Sequence, residues 1–143
     1  MLVNNTYNDP ELKKTLTEQV GKSFNIIERI KLGGIGSPKL LITGCSVEIS
    51  NLLSLDNSLN TCNIELRPKG ILVGFDVRLT TYLLIIPFYK LSIYKGKTEE
   101  YSIYKDNYLI KFRAKNKDTA IHNYIKKVLN YKANNSSTDF KHM

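Results

Sequence analysis

The chain has 143 residues, of which 42% are hydrophobic and 24% are charged, and its formal net charge is +8. This length predicts one domain with a sizeable core, and the composition excludes a wholly disordered chain. The positive charge is compatible with nucleic acid, an anionic membrane surface or solubility alone. The lysines are scattered from Lys13 to Lys141 rather than clustered, which favours solubility.

The sequence has the features expected of a soluble cytoplasmic protein without a membrane segment. Cys45 and Cys62 are too few for a disulfide framework or a cysteine metal site, so we expect free thiols in a reducing compartment. The first ten residues lack the apolar stretch of a signal peptide. The longest apolar run, Tyr82 to Tyr89, is far shorter than the ~20 residues of a membrane-spanning helix.

The first predicted element is a helix, with Asp9 as its N-cap and Pro10 in its first turn. Its apolar residues recur at helical spacing: Leu12, Leu16, Val20, Phe24 and Ile27. Gly21 is expected to weaken or bend this helix, and Gly33 to end it. The apolar stripe must pack either on the chain's own core, which we favour, or on a partner protein.

A glycine-rich segment from Lys31 to Lys39 follows the helix. A phosphate-binding loop needs its glycines to lead into Gly-Lys-Ser/Thr and then a helix. Here the lysine follows a proline, and an extended run follows the lysine. The segment is therefore predicted to be a linker.

Runs rich in β-forming residues then predict about seven strands. They are Leu40–Ser50, Asn63–Arg67, Ile71–Phe75, Thr81–Phe88, Lys90–Lys95, Glu100–Lys105 and Tyr108–Ala114. Gly44 predicts a bulge or bend in the first strand, and Pro87 predicts a strand end or a sheet edge. The stretch between Asn51 and Asn60 is predicted to be a loop.

The last predicted element is an amphipathic helix that begins after Asp118. Its apolar stripe consists of Ile121, Tyr124, Ile125, Val128 and Leu129. From Lys132 onward the sequence is polar and predicts a disordered tail.

Three segments carry a resemblance to a known family: Ile64–Val73, Tyr82–Pro87 and Lys90–Tyr94. They follow one another as a polar strand, a turn, an apolar strand and an Ile-Pro-aromatic step. In this order, the region from Lys39 to Tyr131 resembles a pleckstrin-homology-like (PH-like) domain, in particular the small bacterial members.

The resemblance implies an α+β fold, a PH-like β-barrel or sandwich of about seven antiparallel strands in two nearly orthogonal sheets, capped by a C-terminal helix. The N-terminal helix is an addition to that plan. The implied organisation is a helix and linker in residues 1–37, the PH-like domain in residues 38–133 and a polar tail in residues 134–143.

Members of that superfold that bind phosphoinositides carry clustered lysines and arginines in and after the loop that joins the first two strands. The corresponding region, Leu40 to Leu66, contains neither residue type. We therefore do not expect this chain to have the phosphoinositide headgroup pocket of those members. The fold by itself does not define a function either, since the same scaffold hosts lipid, peptide and protein binding.

Catalytic residues are not evident in the sequence. The two histidines, His122 and His142, lack a nucleophile or a carboxylate pair at a recognisable spacing. Glu99 and Glu100 are interpreted as a solvated acidic pair. We therefore predict a protein that is not an enzyme and that has no cofactor and no metal site.

The candidate binding residues are Lys90, Tyr94, Lys95, Lys97, Lys105, Lys111 and Arg113. Alternation along the late strands places Lys90, Tyr94, Lys111 and Arg113 on a solvated face opposite the core. Tyrosines among cations can stack nucleic-acid bases and contact phosphates. The same lysines could bind an anionic membrane weakly and in a salt-sensitive manner.

A protein-interaction module, with self-association included, requires the fewest special residues. Small β domains can pair through an exposed strand, for which the run Tyr101 to Tyr104 is the candidate, or through the N-terminal apolar stripe. We therefore predict a non-catalytic binding module whose partner is a protein or a second copy. Anionic lipid is the alternative, and nucleic acid is less favoured.

Overall fold

A computed structural model of the chain describes residues 2–4, 10–56, 60–96 and 98–141, with the backbone alone for residues 4 and 135–141. The helices in these ranges are α1 (Pro10–Val20), α2 (Ile26–Leu32), α3 (Val47–Leu53) and α4 (Thr119–Lys141). The strands are β1 (Leu2–Asn4), β2 (Leu40–Cys45), β3 (Thr61–Arg67), β4 (Gly70–Val77), β5 (Thr80–Pro87), β6 (Ser92–Lys95), β7 (Glu100–Lys105) and β8 (Tyr108–Arg113).

In the described part of the chain, these eight strands form one antiparallel sheet in the order β1-β5-β4-β3-β2-β8-β7-β6. The predicted α+β class, the antiparallel sheet and the C-terminal helix are confirmed. The sheet is open, with β1 and β6 at its ends, rather than closed into a barrel. It has one strand more than predicted, because Leu2–Asn4 pairs with β5.

Strand β2 joins the two halves of the sheet. It pairs with β3 through Leu40 opposite Cys62, and with β8 through Ile42 opposite Phe112. The pairing register with β8 shifts between Ile42 and Gly44, which confirms the bulge or bend predicted from Gly44. The predicted strand end at Pro87 is confirmed as well, because β5 ends there.

The prediction of a strand is wrong for the second half of Leu40–Ser50, because these residues begin helix α3. Strand β2 ends at Cys45, and Ile49 and Leu53, four residues apart, are buried on one face of α3. The first residues of the predicted loop are therefore helical as well. A short apolar run does not distinguish a strand from a helix, and here burial of the helical face decided between them.

The predicted N-terminal helix consists of two helices. Gly21 has a φ of +87°, and α1 ends before it. Helix α2 begins after Asn25, whose side chain accepts a hydrogen bond from the Glu28 backbone N–H at 2.8 Å. It ends at Gly33 in the left-handed conformation, as predicted. Because the break changes the helical register, Ile27 leaves the predicted stripe and is exposed.

Helix α1 packs on the chain's own sheet. Its stripe forms a cluster with side chains of β4 and β5; the members are Leu12, Leu16, Val20, Leu72, Leu83 and Ile85. The favoured prediction for this part of the stripe, the chain's own core, is thus confirmed. Asp9, the predicted N-cap, lies outside the described residues.

Helix α4 contributes Tyr124, Ile125 and Val128 to the main core, in agreement with the predicted stripe. The helix continues to Lys141, through the segment predicted to be a disordered tail. Extending an existing helix fixes one residue per hydrogen bond, whereas starting a helix fixes several. Growth from the packed part of α4 therefore compensates for a polar sequence with low helix propensity.

The first residue of β4, Gly70, sits where no side chain fits, and we expect Gly70→Ala to destabilise the fold. A Cβ atom there would collide with the Ile86 carbonyl oxygen and lie 2.7 Å from Val20 Cγ1. The free energy of unfolding should fall by about 2 kcal/mol or more, measured by urea denaturation. Gly36→Ala is the control, because a Cβ atom at Gly36 would have no atom within 4 Å. Equal urea concentrations at the midpoint of unfolding for the two variants would contradict the prediction.

Candidate functional site

The structure separates the predicted binding residues into groups. Tyr94, Lys111 and Arg113 lie on the outer face of the β6–β7–β8 half, as the alternation predicts. Lys90, Lys95 and Lys105 lie at other positions, and Lys97 lies outside the described residues. The outer face is therefore only part of the predicted basic surface.

One row of residues crosses this outer face. Tyr94 is opposite Ser102, and Ser102 is opposite Lys111 on the next strand. The Tyr104 ring meets the Tyr94 ring edge to face, with the ring centroids 5.6 Å apart. Lys111 is half-buried, because its methylene groups lie beside Gly44 at the β2 bulge. The face thus presents tyrosine rings beside one partly covered lysine.

Acidic side chains reduce the positive charge of the predicted surface. Arg113 lies opposite Glu100, whose carboxylate accepts a hydrogen bond from Thr43 at 2.9 Å. Lys90 Nζ lies 3.4 Å from Asp106 Oδ2. Lys90 therefore has a carboxylate within ion-pair distance, and Arg113 has one on the residue opposite it, which weakens the attraction for a distant anion.

Lys105 is not on the surface. Its side chain is only 5% exposed at the end of β7, and burial lowers the pKa of Lys105, partly offset by the charge of Asp106. An anionic partner on the outer face has no access to this ammonium group. The structure therefore assembles a tyrosine-rich face rather than a continuous basic one.

A groove that the sequence does not predict lies between β6 and α4. Its volume is about 230 Å³, and its walls are Leu91, Ser92, Ile93, Tyr94, Leu129 and Lys132. Leu129 is 41% exposed, although the helical spacing predicts it in the core stripe. The sequence contains one indication of this, because Leu129 lies at the margin of the face that buries Tyr124 and Val128.

Strand β6 is the last strand of the sheet within the described residues, and it pairs there with β7 alone. Among the described residues no strand pairs with its second edge, and Ser92, Ile93 and Tyr94 of β6 line the groove. The run Tyr101 to Tyr104, predicted as the exposed strand, belongs to β7 and has neighbours on both sides. The free edge lies one strand further out than the sequence indicates.

His122 connects α4 to β7 and to the turn before the helix. Its Nε2 lies 2.8 Å from the Lys115 carbonyl oxygen, and its Nδ1 lies 2.7 Å from the Tyr101 hydroxyl. A carbonyl oxygen only accepts hydrogen bonds, so Nε2 is a donor, and in the neutral ring Nδ1 accepts from Tyr101. Both ring nitrogens are therefore engaged in positioning α4.

The described residues contain no group of three or more histidine, cysteine, aspartate or glutamate side chains that could hold a metal ion. Burial raises the pKa of the Cys62 thiol to about 12, so this thiol is not a nucleophile at neutral pH. That the protein is not an enzyme stays a prediction.

Comparison with protein-family models, with curated proteins and with solved structures found no match to this chain. None of the helices in the described ranges is long and apolar enough to cross a membrane. The interpretation of the candidate site therefore rests on its own geometry.

A buried hydroxyl holds α4 in place over the core. Tyr124 Oη lies 2.7 Å from the Ile35 carbonyl oxygen and 3.1 Å from that of Ile64, so that one hydroxyl joins the helix to the linker and to β3. Burial, and to a smaller extent the charge of Glu65, raise the pKa of Tyr124. The hydroxyl therefore remains a donor at neutral pH.

We expect Tyr124→Phe to lower the free energy of unfolding by about 1–2 kcal/mol, because two carbonyl groups lose their shared donor. Urea denaturation at neutral pH measures the loss. Tyr89→Phe removes the same atom from an exposed ring and should have almost no effect. Equal losses in the two variants would show that the Tyr124 hydrogen bonds contribute nothing.

The raised pKa also predicts a pH dependence. Above about pH 10 the unfolded tyrosine ionises while the folded Tyr124 does not, so the stability of the protein falls as the pH rises further. In this range the free energy of unfolding should fall less steeply with pH for Tyr124→Phe than for the unchanged chain. Identical slopes would contradict the burial of this hydroxyl.

Proposed function

We propose that this chain is a non-catalytic binding module on a PH-like scaffold, and that it binds an extended segment of a partner protein along strand β6. One observation carries the proposal: the end strand of the sheet borders a groove whose other wall is helix α4. An unpaired strand edge beside a side-chain groove is the arrangement used for recognition by strand addition.

The order of the strands supports the PH-like scaffold. Four strands consecutive in the chain, β2 to β5, form one half of the sheet, and β6 to β8 form the other. Helix α4 follows the last strand and contributes to the core that both halves share. This order agrees with a plan of two antiparallel sheets and a C-terminal helix. Strand β1 and the helices α1, α2 and α3 are additions to it.

The groove indicates which segment would bind. A peptide added to β6 would form main-chain hydrogen bonds with the strand and direct alternate side chains into the groove. Tyr94 and Leu129 offer apolar contacts there, and Lys132 adds one positive charge. The preferred segment is therefore extended, with an apolar side chain between Tyr94 and Leu129 and an acidic residue near Lys132.

The short length of β6 limits uncontrolled pairing. The strand has four residues and ends at Lys95, and both features protect sheet edges against aggregation. Affinity would therefore depend on the side chains in the groove in addition to the backbone. A second copy of the chain could supply the strand, and this form of self-association belongs to the same proposal.

The basic strand face has less support as the main binding surface. Lys90 and Arg113 have carboxylates nearby, and Lys105 is buried. Binding of anionic membranes or nucleic acid through that face stays a prediction.

The test is selection of peptides from a displayed random library with the full chain, followed by fluorescence anisotropy on the enriched peptides. We expect apolar segments with an acidic residue. Leu129→Glu should weaken their binding by at least about tenfold, because it places a charge in the apolar groove. Leu79→Glu is the matched control, since Leu79 is an exposed leucine in the β4–β5 turn.

Equal affinities for the two variants, or a selection without enrichment and without self-association in sedimentation velocity, would refute the proposal. Self-association that Leu129→Glu abolishes and Leu79→Glu retains would identify a second copy as the partner.

A further inference from the structure

Helix α2 presents an apolar surface that the binding groove does not use. Ile26, Ile27 and Ile30 are 74%, 65% and 75% exposed. Isoleucine is among the residues most often buried, and three exposed isoleucines in one seven-residue helix are unusual. At about 100° per residue, the three side chains lie within an arc of about 100° and form one stripe.

No residue of α2 is buried, and its contacts with the rest of the domain lie at its ends. Leu32 packs against the main core from the end of α2. Lys127 of α4 donates to the carbonyl oxygens of Gly33 and Gly34 at 3.2 and 3.1 Å. At the other end, Arg29 donates to the Phe24 carbonyl oxygen at 3.0 Å. Both ends of the helix are thus attached to the domain while the isoleucine stripe faces solvent.

Positive charges flank the stripe on both sides. Around the helix axis, Arg29 lies about 60° before Ile26 and Lys31 about 40° beyond Ile27. The acidic residue of the helix, Glu28, lies on the other side, where its carboxylate accepts a hydrogen bond from the Asn25 backbone N–H. Lys126 of α4 is exposed and borders a shallow groove together with Leu32, so it adds charge near the end of α2.

An apolar stripe with a cation on each side is the pattern of a helix that lies in the interface of an anionic membrane. We propose that α2 is a lipid anchor. Ile26, Ile27 and Ile30 enter the boundary between headgroups and acyl chains, and Arg29 and Lys31 lie at the level of acidic headgroups. This site is separate from the outer face of β6–β8 and from the peptide groove.

The charge pattern favours a bilayer over a protein partner. A bilayer surface is flat and negative on both sides of an inserted stripe, and it matches cations on both flanks of a convex helix. Three isoleucines are few for an anchor, so binding should be reversible and should need the acidic lipid as a second contribution.

The chain contains no tryptophan, which makes a direct test available. Ile27→Trp introduces a single reporter into the stripe, and Leu79→Trp introduces the same reporter at a distant exposed position. With vesicles of phosphatidylcholine and about 30% phosphatidylserine, the emission of Ile27→Trp should shift to the blue and that of Leu79→Trp should not. Vesicles of phosphatidylcholine alone should cause little shift in either variant.

Co-sedimentation of the full chain with the same vesicles measures the contribution of the stripe. The double variant Ile26→Gln/Ile30→Gln keeps residues of good helix propensity and should bind at least about tenfold more weakly. The double variant Val47→Gln/Leu79→Gln removes two other exposed apolar side chains and should bind as the unchanged chain does. Binding of the unchanged chain should weaken between about 50 and 150 mM salt.

An unshifted emission of Ile27→Trp with acidic vesicles, or full binding by the Ile26→Gln/Ile30→Gln variant, would overturn the proposal. Binding that depends on Lys111 and Arg113 instead would assign the membrane contact to the strand face. Loss of self-association rather than of vesicle binding in the α2 variant would assign the stripe to an interface between two copies, which also overturns it.

Discussion

The fold depends on strand β2, which belongs to both halves of the sheet. Leu40 pairs with β3 and is buried, and two residues later Ile42 pairs with β8 and is buried as well. The register shift between Ile42 and Gly44 then changes the course of the strand beyond these pairings. Both halves pack their inner residues into one core, and the outer side of β4 and β5 forms a second, smaller cluster with α1.

The surfaces that are open for binding are those that the helices leave uncovered. Helix α1 covers β4 and β5 on their outer side, so residues Gly70 to Phe75 are all buried. Helix α4 packs into the shared core and leaves the edge of β6 beside it open. Helix α2 is attached at its ends and leaves its isoleucines in solvent. The open strand edge and the isoleucine stripe are the two features on which the proposed contacts rest.

Both proposed contacts rely on α4. Leu129 and Lys132 form its wall of the groove, and Lys127, two residues before Leu129, donates to the Gly33 carbonyl oxygen at the carboxyl end of α2. Tyr124 connects the same helix to the linker and to β3 through one buried hydroxyl. A protein partner in the groove and a membrane under α2 would therefore both contact surfaces that α4 helps to form. The two proposed contacts share no residue.

Local chemistry was sufficient for much of the secondary structure. The strands from β3 to β8, the end of α2 at Gly33 and the end of β5 at Pro87 follow from alternation, glycine and proline, because backbone sterics act within a few residues. Tertiary structure decided the rest. Pairing of β2 with β8 joins residues about seventy positions apart, which no local pattern specifies. The break at Gly21 turned Ile27 from a core position to an exposed one, and the end of the sheet left β6 open. The exposure of an apolar side chain depends on what packs over it, and that is determined only when the whole chain is folded.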